Sequence, residues 1–190
     1  SRIGQKIGET TRVREGWLPV DRALLGERDI FYPSDWSFYI RPATVEAIRN
    51  WSMIDDQNGN SIDEVFNEVL KTCLQIKDST DRPIPWHNIC SWDRFFFLLL
   101  IREYTFQDGE SNISYYEDCP ECETPVEFNL TSDALMYDMP DEEVISYYDQ
   151  TSRTWAIDPS EYEVEGDPIT LYIPTLEKDA NIKAWMIRKL

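Results

Sequence analysis

Residues 95–101 read Phe-Phe-Phe-Leu-Leu-Leu-Ile, an unbroken run of seven apolar side chains. A helix built from them is apolar all round and must be enclosed on every side. The run is much shorter than the ~20 residues needed to cross a bilayer, and no longer apolar run occurs, so it predicts a central core helix, capped by Ser91. The opening residues SRIGQKIGETTRVREG are polar rather than signal-like.

A second helix is expected before it. Ile62, Val65, Phe66, Val69, Leu70, Cys73 and Leu74 recur at helical spacing, and Ser61 with Glu64 reads as a capping box at the start. Cys73 continues the apolar stripe and is read as packing. Upstream, Trp36, Phe38 and Ile40 alternate with Ser37, Tyr39 and Arg41 in the period of a half-buried strand. Pro42 ends that strand, and Thr44 caps a short helix with Val45, Ile48 and Trp51 on one face.

After the core helix, Gln107, Asp108 and Gly109 mark a turn. Ile113 with Tyr115, and Val126 with Phe128 and Leu130, then alternate on either side of Cys119-Pro120-Glu121-Cys122, predicting a β-hairpin. Helical pieces are expected near 133–137 and 141–148, and a weak strand near Tyr162 and Val164. The last block reads as strand, Pro174, Thr175 cap and helix, repeating in LYIPTLE the device seen in FYIRPATVE.

These elements define an α+β chain: a small mixed domain with two or three core helices, β-hairpins and an extended N-terminal arm. Residues 1–29, punctuated by Gly4, Gly8, Gly16 and Pro19, form the arm, which needs a neighbour to lie on. Residues 30–139 form the α+β core with its knuckle-like hairpin, and 140–190 a strand-helix extension that packs on the core or on a neighbour.

Charge narrows the partners. The 190 residues hold 36 acidic and 18 basic side chains, a net charge of −18, which excludes a nucleic-acid surface and docking on an anionic membrane. The charge is uneven, because residues 101–150 carry 14 acids against one basic side chain, and no Lys or Arg stands between Arg102 and Arg153. Such a stretch is either a solvated face that maintains solubility or a surface for a basic protein partner. Four Cys in a chain of this length are too few for a secreted disulfide scaffold and fit a reducing compartment.

Candidate chemistry is sparse. Cys119 and Cys122 have the spacing of a zinc knuckle, and His87 with Cys90 (HNIC) would complete a four-ligand set. The alternative is a degenerate knuckle held by backbone pairing, with Cys90 buried. Asp56, Asn58 and Asn60 occupy the first ligand positions of an EF-hand-like loop, but Ser61 and Asn67 stand where Gly and Glu are required, so the loop is read as polar only. A single His, no nucleophile elbow and no Gly-rich phosphate loop leave no catalytic arrangement to propose.

FYIRPATVE, IDEVFNEVLKTCLQI, SWDRFFFLLLIRE and a CPEC hairpin followed by VEFNL together resemble the baseplate hub and hub assembly proteins of T-even-type contractile-tailed bacteriophages. In that family a similar strand precedes an amphipathic helix with a central Cys, and a buried helix ending in Arg and a C-x-x-C hairpin follow. The resemblance covers roughly residues 31–135.

It implies a non-enzymatic structural virion protein of the hub or wedge region, assembled in the host cytoplasm, with other tail baseplate proteins as partners in a multi-copy symmetric assembly. No nucleic acid, membrane insertion or cofactor enters that expectation. Two rivals stand beside it: a transient assembly chaperone or acidic binding module not retained in the particle, and a zinc protein built on Cys119, Cys122, Cys90 and His87.

Overall fold

A computed structural model describes residues 16–44, 47, 59–106, 113–163 and 165–189. The fold is a mixed α+β arrangement of helices and small antiparallel sheets. It divides into two compact units, Ser1–Asp21, Phe38–Gln75 and Asp93–Met136 in the first, Arg22–Ser37, Ile76–Trp92 and Tyr137–Leu190 in the second.

In the first unit, β1 (Leu18–Pro19) runs antiparallel to β2 (Ser37–Ile40), with Leu18 opposite Ile40. The alternation read in β2 buries Phe38 and Ile40 and leaves Ser37 outside. Helix α1 spans Gly59–Cys73 and passes directly into β3 (Leu74–Lys77). It starts before Ser61, which therefore lies inside the first turn rather than at the cap. Val69, Leu70 and Cys73 are buried on its inner face. The EF-hand-like positions Asp56 and Asn58, and the residues Val45, Ile48 and Trp51, lie outside the described residues.

Helix α2 spans Arg94–Thr105 and buries Phe96 through Ile101. At about 1.5–3 kcal/mol for each enclosed side chain, this run dominates the apolar burial of its unit. Phe95 departs from the all-round expectation: it is 53% exposed and meets Phe66 of α1 edge-on at 5.8 Å. Arg94 closes the same helix pair, donating to Asp63 Oδ1 at 2.6 Å and Asn67 Oδ1 at 3.1 Å.

The predicted hairpin forms as β5 (Ile113–Asp118) and β6 (Pro125–Leu130), in register from Ile113 opposite Leu130 to Asp118 opposite Pro125. Beyond it, Ser132 donates through its backbone N–H and its hydroxyl to the Glu103 carboxylate on α2. That contact makes residues 132–134 a turn where the sequence suggests helix near 133–137, and Ala134 N–H closes it on the Thr131 carbonyl.

The strand order of the first sheet is β1-β2-β3-β4, β4 being Pro83–Ile84. In the second unit β3 pairs with β4. A 3-10 segment over Arg22–Phe31 is kinked at Gly26, whose φ of 60° lies in the left-handed region that glycine tolerates best. The Arg22 side chain gathers the loop after it, donating to Asp29 Oδ1 and to the carbonyls of Asp29, Tyr32, Pro33 and Trp36.

Of the residues read as an arm, 16–29 thus form β1 and most of this 3-10 segment, and they bury Leu18, Val20, Leu25 and Arg28. The physical reason is that their apolar residues, though aperiodic, meet core partners, and Arg22 supplies the donors that an irregular loop lacks.

Helix α3 (Glu142–Ser146) leads into β7 (Tyr148–Asp149), which pairs with β8 (Thr154–Ile157), and β8 pairs with β9 (Ile169–Tyr172). The weak strand expected near Tyr162 is instead a 3-10 segment, Pro159–Tyr162, because Asp158 accepts from Ser160 N–H and Pro159 fixes the first turn. Val164 lies outside the described residues. Helix α4 spans Leu176–Lys189. The repeated strand-to-helix device is real at atomic level: Thr44 Oγ1 accepts Ala47 N–H at 3.2 Å, and Thr175 Oγ1 accepts Lys178 N–H at 3.3 Å.

Candidate functional site

The four candidate metal ligands have separate environments. Cys119 and Cys122 flank the exposed turn of the β5–β6 hairpin. Cys90, in the second unit, is fully buried, and its Sγ accepts from an Arg153 Nη at 3.3 Å. Burial pushes the Cys90 thiol pKa up against the opposing pull of Arg153. His87 Nε2 lies 3.8 Å from a Glu177 carboxylate oxygen, close enough to pair when the imidazole is charged. Among the described residues no three His, Cys, Asp or Glu side chains form a group able to hold a metal ion. Cys119 and Cys122 belong to the first unit, whereas His87 and Cys90 belong to the second, where Cys90 faces a guanidinium.

What the second unit builds around Cys90 is an Arg-centred node. The β7–β8 turn places Arg153 in a left-handed conformation, φ 58°, and Asp149 Oδ1 fixes that turn by accepting the N–H groups of Thr151 and Ser152. Those bonds hold the Asp149 carboxyl below the usual carboxylate range. The guanidinium then points inward, donating to the carbonyls of Phe31 at 3.1 Å and Asn88 at 2.7 Å as well as to Cys90. Its carbon sits 5.3 Å from the Tyr32 ring and 5.0 Å from the Trp36 ring. Tyr32 is wholly buried and its hydroxyl accepts Cys90 N–H at 3.0 Å. Phe31 is met by Trp92, Tyr148 and Trp155 at 5.3–6.2 Å.

The node holds the root of α4. Thr175, 3% exposed, forms a β-bridge with Cys90, while Ser91 N–H donates to the Pro174 carbonyl and Leu176 N–H to the Ile89 carbonyl. From residue 181 onward every described residue of the helix is exposed. Ile182, Trp185, Met186 and Ile187 stand between 53 and 72% exposed, with Lys183, Arg188 and Lys189 among them. Ile169, Leu171 and Tyr172 of the edge strand β9 are also 48–62% exposed. A 14-residue helix is marginal in water without packing along its length, so a rooted helix with an uncovered apolar face is suited to receive another surface.

Sequence reasoning singled out the cysteines and missed Arg153. Its one signal was position, as the first cation after a long acidic stretch and among aromatic residues.

Fold and surface together define a small α+β protein that keeps its buried polar groups for internal support and turns apolar and charged side chains outward. The family model described as T4 bacteriophage base plate protein matches residues 29–168, and the chain belongs to that family. Its role is accordingly structural, in the tail baseplate of the virion, among other baseplate proteins. Comparison with curated proteins finds no match, and neither does comparison with solved structures. No helix among the described residues is long and apolar enough to cross a membrane.

Proposed function

We propose that this chain is a non-catalytic component of the hub or wedge region of a contractile tail baseplate, assembled in the host cytoplasm in several symmetry-related copies, and that α4 is its main docking element. The exposed cluster Ile182, Trp185, Met186 and Ile187 carries the reading, because an apolar helix face of this kind on a baseplate-family chain calls for a protein cover. The acidic hairpin supplies a second surface, suited to a basic neighbour.

Trp185→Glu tests the docking role. The variant is expected to keep its far-ultraviolet circular dichroism and to be lost from purified tails; normal incorporation removes α4 from the reading. A transient assembly chaperone remains the alternative, favoured by the strongly acidic hairpin region. Quantitative mass spectrometry of purified particles separates the two, since stoichiometric presence excludes the transient version.

A further inference from the structure

The hairpin tip carries chemistry that docking does not use. Past the last register pair, Asp118 opposite Pro125, Cys119 N–H donates to the Thr124 carbonyl at 3.0 Å and Glu123 N–H to the Cys119 carbonyl at 2.8 Å, with Glu123 left-handed at φ 56°. The turn spans residues 120–122, so Cys119 and Cys122 stand at its two ends. Residues three apart across a tight turn have Cα atoms within about 7 Å, near the separation a disulfide spans.

Cys122 is exposed, and its Sγ lies 3.3 Å from Thr124 Oγ1. The Thr124 hydroxyl, then its backbone N–H, then the Cys119 thiol hold the Cys122 thiol below its ordinary pKa. Cys73 and Cys90, by contrast, are both buried. Around the tip Glu117, Asp118, Glu121, Glu123 and Glu127 are all exposed carboxylates, which oppose thiolate formation and repel anionic reagents.

The geometry points to Cys119 and Cys122 as a vicinal dithiol site for exchange with cationic disulfides, Cys122 attacking and Cys119 resolving. In the first step the Cys122 thiolate attacks one sulfur of R–S–S–R. The S–S bond breaks, one R–S⁻ leaves and takes up a proton, and Cys122–S–S–R forms. Cys119 then gives its proton to solvent and attacks Cys122 Sγ, expelling the second R–S⁻, which is protonated. The dithiol is oxidised by two electrons, the reagent is reduced to two thiols, and the hairpin tip is cross-linked. This inference stands independently of the baseplate role.

The test treats the full chain with cystamine, and in parallel with oxidised glutathione, then unfolds it, alkylates free thiols and weighs it intact. The wild-type chain is expected to lose two hydrogens and to be alkylated only at Cys73 and Cys90. Cys119→Ser should stop at the mixed disulfide on Cys122, and Cys122→Ser should react about tenfold more slowly. Cystamine should outpace oxidised glutathione several-fold at low salt, with the gap closing as salt is added. Thr124→Val should move the pH profile of Cys122 alkylation upward without altering the circular dichroism. A chain that stays fully reduced, equal rates for the two Ser variants, equal rates for the two reagents at low salt, or a stoichiometric zinc ion shielding both thiols until a chelator is added would each overturn the proposal.

Discussion

Arg153 concentrates the physical chemistry of the second unit in one side chain. A guanidinium offers five donors in a rigid fork, and here they meet two carbonyls and a thiol while aromatic rings lie within cation–π reach. Removing it takes the Arg153 donor from the Asn88 carbonyl and leaves the Phe31 carbonyl to the Tyr148 hydroxyl, so Arg153→Ala is expected to cost about 2–4 kcal/mol in urea unfolding. Arg153→Lys keeps the charge but not the fork and should recover less than half of the loss; full recovery would show that charge alone matters. Tyr32 and Tyr148 give the same region a pH signature. Burial raises the Tyr32 pKa well above the ordinary phenol value and pushes Tyr148 up to about 12. A raised folded-state value means the native chain holds its proton more tightly than the unfolded one. The associated stability is therefore complete below about pH 10 and is lost as pH climbs from there toward the folded-state values. Alkaline unfolding, followed by circular dichroism, should begin above about pH 10 and coincide with the slow fraction of tyrosinate absorbance.

At the scale of elements, the legible parts were those with a strong period. The alternation in β2, the stripe of α1, the apolar run of α2 and the paired strands around CPEC each stand where the pattern puts them, because side-chain burial and backbone geometry agree there. Residues 16–29 were not legible, since their order comes from Arg22 reaching carbonyls up to Trp36 rather than from any local repeat. Strand β8 was hidden for a related reason. Only four residues long, it is identified by its partners, Trp155 opposite Leu171 and Ile157 opposite Ile169, and not by its own alternation. Of the candidate site, the hairpin cysteines could be read from spacing, but the environment of Cys90 could not, because Arg153 is 63 residues away. The element-scale expectation follows. Deleting residues 1–29 removes β1, Leu25 and Arg22, and should yield an insoluble or unfolded chain rather than a folded one that fails to assemble. A soluble deletion with native circular dichroism would show that these contacts are dispensable.

For the whole molecule, the net charge of −18 is borne mainly by the stretch that includes the hairpin, whereas α4 ends in Arg188 and Lys189. The two surfaces should leave different kinetic marks on assembly. Long-range attraction between the hairpin and a basic partner is screened over about 8 Å at physiological salt. Its contribution to the association rate should fall about tenfold between roughly 0.05 and 0.5 M salt in stopped-flow measurements with isolated tail intermediates. Contacts through Trp185 are short-range and should govern dissociation instead, with little salt dependence. A salt-independent association rate would argue that the acidic face serves solubility alone.

The exposed hairpin and the exposed end of α4 also differ in which proteases can cut them. From Glu103 to Ser152 there is no Lys or Arg, so trypsin leaves the hairpin intact, while Glu117, Glu121, Glu123 and Glu127 open it to a glutamate-specific enzyme. The helix offers trypsin Lys183, Arg188 and Lys189. Two digestions of the assembled tail would therefore act as separate footprints, trypsin reporting on α4 while leaving the hairpin intact, and the glutamate-specific enzyme reporting on the hairpin through its own fragments, distinct from the cut at Glu177 in α4.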